Sequence, residues 1–294
     1  MKSKKMNKKD LINIIILLSV ITIVIIFCIH GGYLYGSELD WNNQHSIIPE
    51  YFRSLFYKNF DLFPDLALNI GSGVNIYNYS YYGFLSPIIL ISYLLPFISM
   101  KTYIQISSII VVYSSVILFY YFLRSKFKED TSLLGTIAFA TASPLLFHSH
   151  RHIMFISYMP FLILALIGVD KYFKNDNKKL LSVSILLIIL CSYYYSVGSI
   201  ICVVIYGIYK YISLFWLTFK FHFSSEPSTS VPSTLLITDT FDTVNGGVPS
   251  PSTLYFRAVT PATNIIATTI SATILIWNCF VFVICFIFSF KISS

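Results

Sequence analysis

The sequence predicts an all-α integral membrane protein, a polytopic helical bundle. Hydrophobic residues make up 56% of its 294 positions, charged residues only 11%, and the mean hydropathy is +0.73. Soluble domains carry about 25% charged residues. The basic residues behind the net charge of +7 gather in short clusters at the ends of apolar runs. This distribution is typical of cytoplasmic membrane loops, and we expect the lipid bilayer rather than a nucleic acid as the partner.

The first predicted transmembrane helix covers residues 11–29, an uncharged run that follows a basic tail over residues 1–10. A run of about 20 apolar residues crosses a hydrocarbon core of roughly 30 Å. Because lysine-rich flanks stay inside, we expect a cytoplasmic amino terminus and a multi-pass protein of the cell membrane. The run is too long for the core of a signal peptide, so it predicts an uncleaved anchor.

Residues 30–102 predict an extracytoplasmic loop with interfacial or re-entrant helices. Apolar positions over 47–56 recur at helical spacing, and Glu50 with Arg53 predicts a helical ion pair worth a few tenths of a kcal/mol. The apolar stretch 86–100 is short and contains two prolines. If it crossed the membrane, the later basic loops would lie outside. As a re-entrant segment it leaves them in the cytoplasm, and we adopt this second topology.

The bundle is predicted to continue over residues 103–217. The expected spans are about 103–123, 131–148, 153–169, 180–197 and 199–217. In this topology the sequences HSHRH (148–152) and CSYYYSVGS (191–199) both open on the outer side, as the first loop does. The cysteines lie in apolar runs without C-x-x-C spacing, which argues against a disulfide scaffold.

The composition changes near residue 213, since 21 of the 22 tyrosines lie at or before Tyr211. Residues 218–262 are rich in serine, threonine and proline, which predicts a linker. Residues 263–290 predict an additional transmembrane helix. Two explanations stay open at this point: a genuine stalk with an anchor, or a frameshift or fusion that leaves the chain truncated.

Candidate chemistry centres on Asp40, which lies just outside the first span and precedes Gln44 and His45. A carboxylate at the outer face suits a general base, or a ligand to a divalent cation such as Mg²⁺ or Mn²⁺. The alternative is structural, because aspartate is a favoured N-cap residue and Asp40 precedes a predicted helix. The spacing alone allows both.

Three histidines, His148, His150 and His152, alternate around Arg151 at a predicted membrane boundary. Alternating residues share one face only in an extended segment, so a metal site here would require a strand-like backbone. One interpretation is an interfacial polar patch. The other is a cationic site for a phosphate, to which Arg151 makes two-pronged contacts.

Four strings carry a family resemblance: DWNNQHSIIPEYFRSLFYKNFDLFPDLALNIGSG, NIYNYSYYGFLSPIILISYLLPF, ASPLLFHSHRHIMFISYMPFLILALIGVDKYF and SYYYSVG. In this order they resemble the amino-terminal part of the YfhO family of bacterial membrane proteins, over about residues 5–212. The tail beyond 213 does not share the resemblance. The family resembles GT-C glycosyltransferases, which take a sugar from a polyprenyl-phosphate lipid on the outer leaflet.

The resemblance implies transfer of that sugar to a cell-envelope polymer such as lipoteichoic or wall teichoic acid. Asp40 matches the acidic residue of the first outer loop and would act as base or cation ligand. Our own interpretation of the residues adds the predicted substrate-binding set: Gln44 and His45 would orient the acceptor. The departing lipid phosphate would be neutralised by Arg151 with His148, His150 and His152. A flippase-like transporter subunit is the alternative, and would place ionisable residues inside spans. An inactive fragment or fusion is the third possibility.

Overall fold

The structure is a computed structural model that describes residues 7–29, 40–70, 73–151 and 153–224. The chain divides into two compact units, Met1–Tyr211 and Ile212–Ser294. Of the second unit, only the helical part through Ser224 is described. The transmembrane helix predicted over 263–290 and most of the predicted linker therefore lie outside the described residues.

The α-helices are α1 (Lys8–Ile29), α2 (Ile47–Asn59), α3 (Pro87–Ile91), α4 (Met100–Arg124), α5 (Glu129–Ala140), α6 (Ser143–Arg151), α7 (Met159–Asn175), α8 (Lys179–Cys191) and α9 (Tyr193–Ser224). A π-helix spans Trp41–His45, and 3₁₀ helices span Ile76–Tyr82, Ser92–Leu94 and Ile153–Phe155. Two short antiparallel strands, β1 (Leu66–Ala67) and β2 (Val74–Asn75), pair Leu66 with Asn75 and Ala67 with Val74.

Within the described residues, four helical segments are long and apolar enough to cross a membrane: Lys8–Phe27, Met100–Arg124, Ile153–Asn175 and Tyr193–Phe215. The shorter apolar helix α8 packs tightly against α7. A Cβ atom built on Gly168 of α7 would lie only 2.8 Å from the backbone N and Cα of Leu181. The fold is thus the all-α polytopic membrane architecture that the composition predicts.

The helix boundaries differ from the predicted spans at two places, while the stretch 86–100 was not predicted to span. The interval 131–148 contains α5 and α6 rather than one helix, because Pro144 has no N–H for a continuous helix and suits a first turn. The break expected near 198 lies at Ser192, whose backbone is extended. The stretch 86–100 forms only the five-residue α3 and a 3₁₀ turn, too short to cross about 30 Å of hydrocarbon.

A buried ion pair fixes the start of α1 to the end of α4. Asp10 Oδ1 accepts hydrogen bonds from Arg124 Nε at 2.7 Å and from the Tyr120 hydroxyl at 2.8 Å. The Asn13 side chain donates to the same hydroxyl at 3.2 Å. Asp10 and Arg124 are both buried. Asp10 therefore belongs to the first helix, which begins at Lys8, rather than to the basic tail predicted over residues 1–10.

A second ionic cluster joins α7 and α9 to the loop after α4. Asp170 pairs with Lys126 through one carboxylate oxygen. Its other oxygen lies 2.9 Å from Lys210 Nζ and accepts a hydrogen bond from the Tyr206 hydroxyl at 2.8 Å. We call this cluster and the Asp10–Arg124 pair the basic end. That the basic end faces the cytoplasm stays a prediction from the distribution of lysine and arginine.

Arg53 joins α2 to the segment that precedes α4. It is 4% exposed, and its Nη1 donates to the carbonyl oxygens of Ser92, Leu95 and Ile98 at 3.4, 3.3 and 3.0 Å. The predicted ion pair with Glu50 is present. Arg53 is nonetheless a buried clamp rather than a surface residue, since it binds three carbonyl groups at turns outside the long helices. Two of these, Ser92 and Leu95, also accept a backbone hydrogen bond.

Candidate functional site

Aromatic side chains from separate chain segments meet away from the basic end. The Tyr81 ring lies 6.5 Å from the Phe155 ring, and the Phe155 ring lies 5.1 Å from the Tyr195 ring. Tyr195, at the start of α9, stacks on Tyr158 with ring centroids 5.4 Å apart and planes only 8° apart. We call this group, together with Asp40, the aromatic end. The aromatic end links α7 and α9 to the loop between α1 and α4. We call this loop the outer loop, because the predicted topology places it outside the membrane.

Asp40 stands immediately before the π-helix Trp41–His45. Its backbone is already helical, with φ −72° and ψ −37°, and its side chain makes no capping hydrogen bond. An N-cap residue has a non-helical backbone and bonds the next turn through its side chain. The structure therefore does not support the interpretation of Asp40 as a helix N-cap.

The Asp40 carboxylate lies within electrostatic reach of two phenols. Burial raises the pKa of Tyr81 to about 12, and the neighbouring Tyr82 and Asp40 add to the shift. Burial also raises the pKa of Tyr82, with further contributions from Tyr79 and Asp40. Because the ordinary pKa of tyrosine is already near 10 and both shifts are upward, the two phenols keep their protons at neutral pH and can donate hydrogen bonds.

The two predicted acceptor-orienting residues hold the tyrosines of the aromatic end. The Gln44 side-chain oxygen accepts a hydrogen bond from the Tyr82 hydroxyl at 3.0 Å. His45 is 2% exposed, and its ring lies 6.1 Å from the Tyr81 ring and 5.4 Å from the Tyr82 ring. This burial favours a positioning role for His45, through the two tyrosines, over direct contact with a substrate.

The HSHRH sequence is placed beside the same aromatic group. The His148 ring meets the Phe155 ring edge-on at 5.2 Å. The backbone over Ser143–Arg151 is helical, so residues two apart are separated by roughly 200° around the axis. The extended backbone that a metal site of alternating histidines requires is therefore not present there. The side chains of His150, Arg151 and His152 lie outside what the structure describes.

The site residues predicted from the sequence did not include Tyr81, Tyr82, Phe155 or Tyr158. The tyrosine-rich string NIYNYSYYG was the available signal, because four tyrosines near a charged loop exceed what a membrane-interface belt needs at one turn. The contact of Tyr81 with Phe155 depends on long-range packing, which spacing does not encode.

The side chains that could act as metal ligands give little support for a divalent cation at Asp40. Among the described residues, no group of three or more histidine, cysteine, aspartate or glutamate side chains could hold a metal ion. Cations of this kind prefer several oxygen ligands. The part of the chain that the structure describes has no cluster of three such side chains, so we assign no step to a metal.

The comparisons with known proteins point to one family. A family model described as "Bacterial membrane protein YfhO" matches residues 14–239. No curated protein and no solved structure matches the chain. The matched segment continues beyond residue 212, where the resemblance was expected to end. Part of the linker predicted over 218–262 therefore belongs to the family sequence rather than lying outside it.

Proposed function

Because the chain belongs to the YfhO family of bacterial membrane proteins, we propose that it is a membrane glycosyltransferase. In this proposal it transfers a sugar from a polyprenyl-phosphate lipid to a cell-envelope polymer of the teichoic or lipoteichoic acid type, on the outer face of the membrane. The observation that carries the proposal is the position of Asp40: an acidic side chain that does not cap its helix, within electrostatic reach of the phenols of Tyr81 and Tyr82.

Asp40 acts as the general base. Its carboxylate takes the proton from an acceptor hydroxyl while that oxygen attacks the anomeric carbon of the sugar. The bond between the anomeric carbon and the phosphate oxygen breaks, and the lipid phosphate leaves. The Tyr81 and Tyr82 hydroxyls, protonated at neutral pH, suit hydrogen bonds to sugar or acceptor oxygens, and Gln44 and His45 hold them in place.

The leaving phosphate requires positive charge at the same face. Arg151 is the proposed partner, with His148, His150 and His152 near it in the sequence. A guanidinium group matches a phosphate in a two-pronged geometry, and stabilising the charge that develops on a leaving group lowers the barrier to transfer. The placement of His148 against Phe155 supports this assignment, because it brings α6 to the aromatic end.

A flippase-like transporter is the competing function. Transport of a charged headgroup calls for ionisable side chains along the path inside the spans. In the described spans, Asp10 and Arg124 lie at helix ends and pair with each other. Asp170 likewise pairs with lysines near the end of α7. These charges are engaged in joining helices, which favours the transferase.

The test is transfer by the full chain in membranes. Asp40→Asn keeps the size of the side chain and removes its basicity, so we expect loss of sugar transfer from radiolabelled polyprenyl-phosphate hexoses to an envelope polymer fraction. Asp65→Asn is the matched control, because Asp65 is an exposed aspartate of the same loop. Transfer by Asp40→Asn at the level of Asp65→Asn would rule out Asp40 as the base.

Membrane insertion is measured in parallel, by alkaline extraction and by proteolysis from each side. Equal insertion of both variants ties a loss of transfer to chemistry rather than folding. Movement of labelled lipid across the bilayer without transfer to any polymer would identify the chain as a flippase instead.

A further inference from the structure

The segment from α3 to the start of α4 has both buried and exposed apolar side chains. Ile89 and Tyr93 are 1% and 4% exposed and belong to the hydrophobic core. Ile91, Leu94 and Phe97 are 53%, 78% and 80% exposed. We call Ile91, Leu94 and Phe97 the Leu94 strip.

Helical spacing places the first two members of the strip on one face. Ile91 ends α3, and Leu94 ends the 3₁₀ helix Ser92–Leu94. In a 3₁₀ helix, side chains three residues apart lie one above the other. Phe97 lies beyond this helix, because the backbone of Leu95 is no longer helical, with φ −126° and ψ 57°, and it belongs to the strip by its exposure. A short segment that is apolar all round requires an apolar cover on its outer face as well as its inner face.

The position of α4 indicates which environment surrounds the exposed side chains of the Leu94 strip. α4 begins at Met100, three residues after Phe97, and has 25 residues, which span about 37 Å against a hydrocarbon core of roughly 30 Å. Its first turn therefore lies at the boundary between headgroups and acyl chains. The exposed stripe of α4 includes Ile106 and Ile110, at 46% and 56% exposure, and it continues to the exposed Thr102 in the first turn of the helix.

We propose that the Leu94 strip lies in the bilayer leaflet next to the start of α4, with the acyl chains of the surrounding lipid as its partner. The strip is held at that depth from the protein side, since Arg53 binds the carbonyl oxygens of Ser92, Leu95 and Ile98. The outer loop is then a partly submerged element of the membrane protein. This inference does not depend on the proposed transferase activity.

The test measures depth directly in the full chain, reconstituted in phosphatidylcholine vesicles. Leu94→Trp and Phe97→Trp are prepared separately, and the emission of the parent chain is subtracted from each. We expect the added emission to be lost in vesicles of phosphatidylcholine brominated on the acyl chains, and to be unaffected by iodide in the buffer. Tryptophan suits these sites because it prefers the membrane interface.

Asn78→Trp is the matched control, because Asn78 is an exposed polar residue of the same outer loop. Its added emission is expected to fall with iodide and to be insensitive to brominated lipid. Two results would overturn the proposal. Quenching of the Leu94→Trp and Phe97→Trp emission by iodide would place the strip in water, and insensitivity to both quenchers would mean that protein covers it.

Discussion

Replacing Arg53 by methionine tests how the outer loop is held together. Arg53 is 4% exposed and donates from one nitrogen to three carbonyl oxygens of the segment before α4. Methionine fills a similar volume with an apolar chain, so the main loss is hydrogen bonding rather than packing. We expect the segment that contains the Leu94 strip to open more often when this clamp is removed.

The magnitude follows from the three contacts. Their lengths are 3.0, 3.3 and 3.4 Å. Because Nη1 carries only two hydrogens, the three contacts count as two hydrogen bonds, and about 1.5 kcal/mol each is appropriate for a charged donor. Glu50 is 48% exposed and regains hydration when its partner is lost, so it adds little. The total of about 3 kcal/mol corresponds to a roughly 100-fold larger opening equilibrium constant.

Thiol labelling measures this opening. Ser92 is 0% exposed, and Ser92→Cys introduces a nearly isosteric thiol that a reagent reaches only when the segment opens. The labelling rate of Ser92→Cys is compared with that of the double variant Ser92→Cys/Arg53→Met, each after subtraction of the rate in the chain without the new cysteine. We expect the rate to rise by roughly 100-fold, in proportion to the opening equilibrium.

Two further variants decide whether the effect belongs to the clamp. Lys58→Met removes a positive charge from an exposed position of α2 and is expected to leave the rate unchanged. Arg53→Lys keeps the charge without the planar fork and is expected to give an intermediate rate. Equal labelling in Arg53→Met and Lys58→Met would refute the clamp.

The remaining predictions concern the bundle. Gly168→Ala places a methyl group 2.8 Å from the backbone of Leu181, which cannot move aside, so we expect a loss of about 1–3 kcal/mol and a lower Tm in detergent. Gly207→Ala is its control, with no atom within 4 Å of the new Cβ, and a Tm as low as that of Gly168→Ala would contradict the packing argument. Arg124→Met leaves Asp10 buried without its cation and is expected to cost on the order of 2 kcal/mol. Arg124→Met combined with Asp10→Asn should recover part of that loss in the same melting assay, and no recovery would show that the two residues do not act as a pair.

Local patterns in the sequence were sufficient for the class of fold. Uncharged runs such as 11–29 and 103–123 are recognisable because crossing a bilayer requires only length and apolarity, both of which are properties of consecutive residues. The predicted positions of the helix ends were less accurate. The division of 131–148 into α5 and α6 depends on Pro144, a backbone effect within an apolar run that hydropathy does not register.

The partners of the functional side chains could not be deduced in this way. Asp10 pairs with Arg124 across 114 positions, and Arg53 binds Ile98 across 45. The sequence identified Asp40 as a candidate acid in the first loop. Its position in the sequence was compatible both with a catalytic role and with capping a helix. The tertiary structure argues against the capping role, because the backbone of Asp40 is helical and its side chain makes no capping hydrogen bond.

The amino-acid sequence by itself thus determined a polytopic membrane bundle with basic loops on one side and an aromatic, acid-bearing loop before the second long helix. Hydrophobicity and charge distribution suffice for that, since each residue contributes its own transfer free energy irrespective of its neighbours in space. Only the tertiary structure decided that Arg53 is a buried clamp, that the buried His45 ring packs against two tyrosine rings, and that the Leu94 strip is exposed. Those properties are relations between residues far apart in the chain, and folding alone brings them into contact.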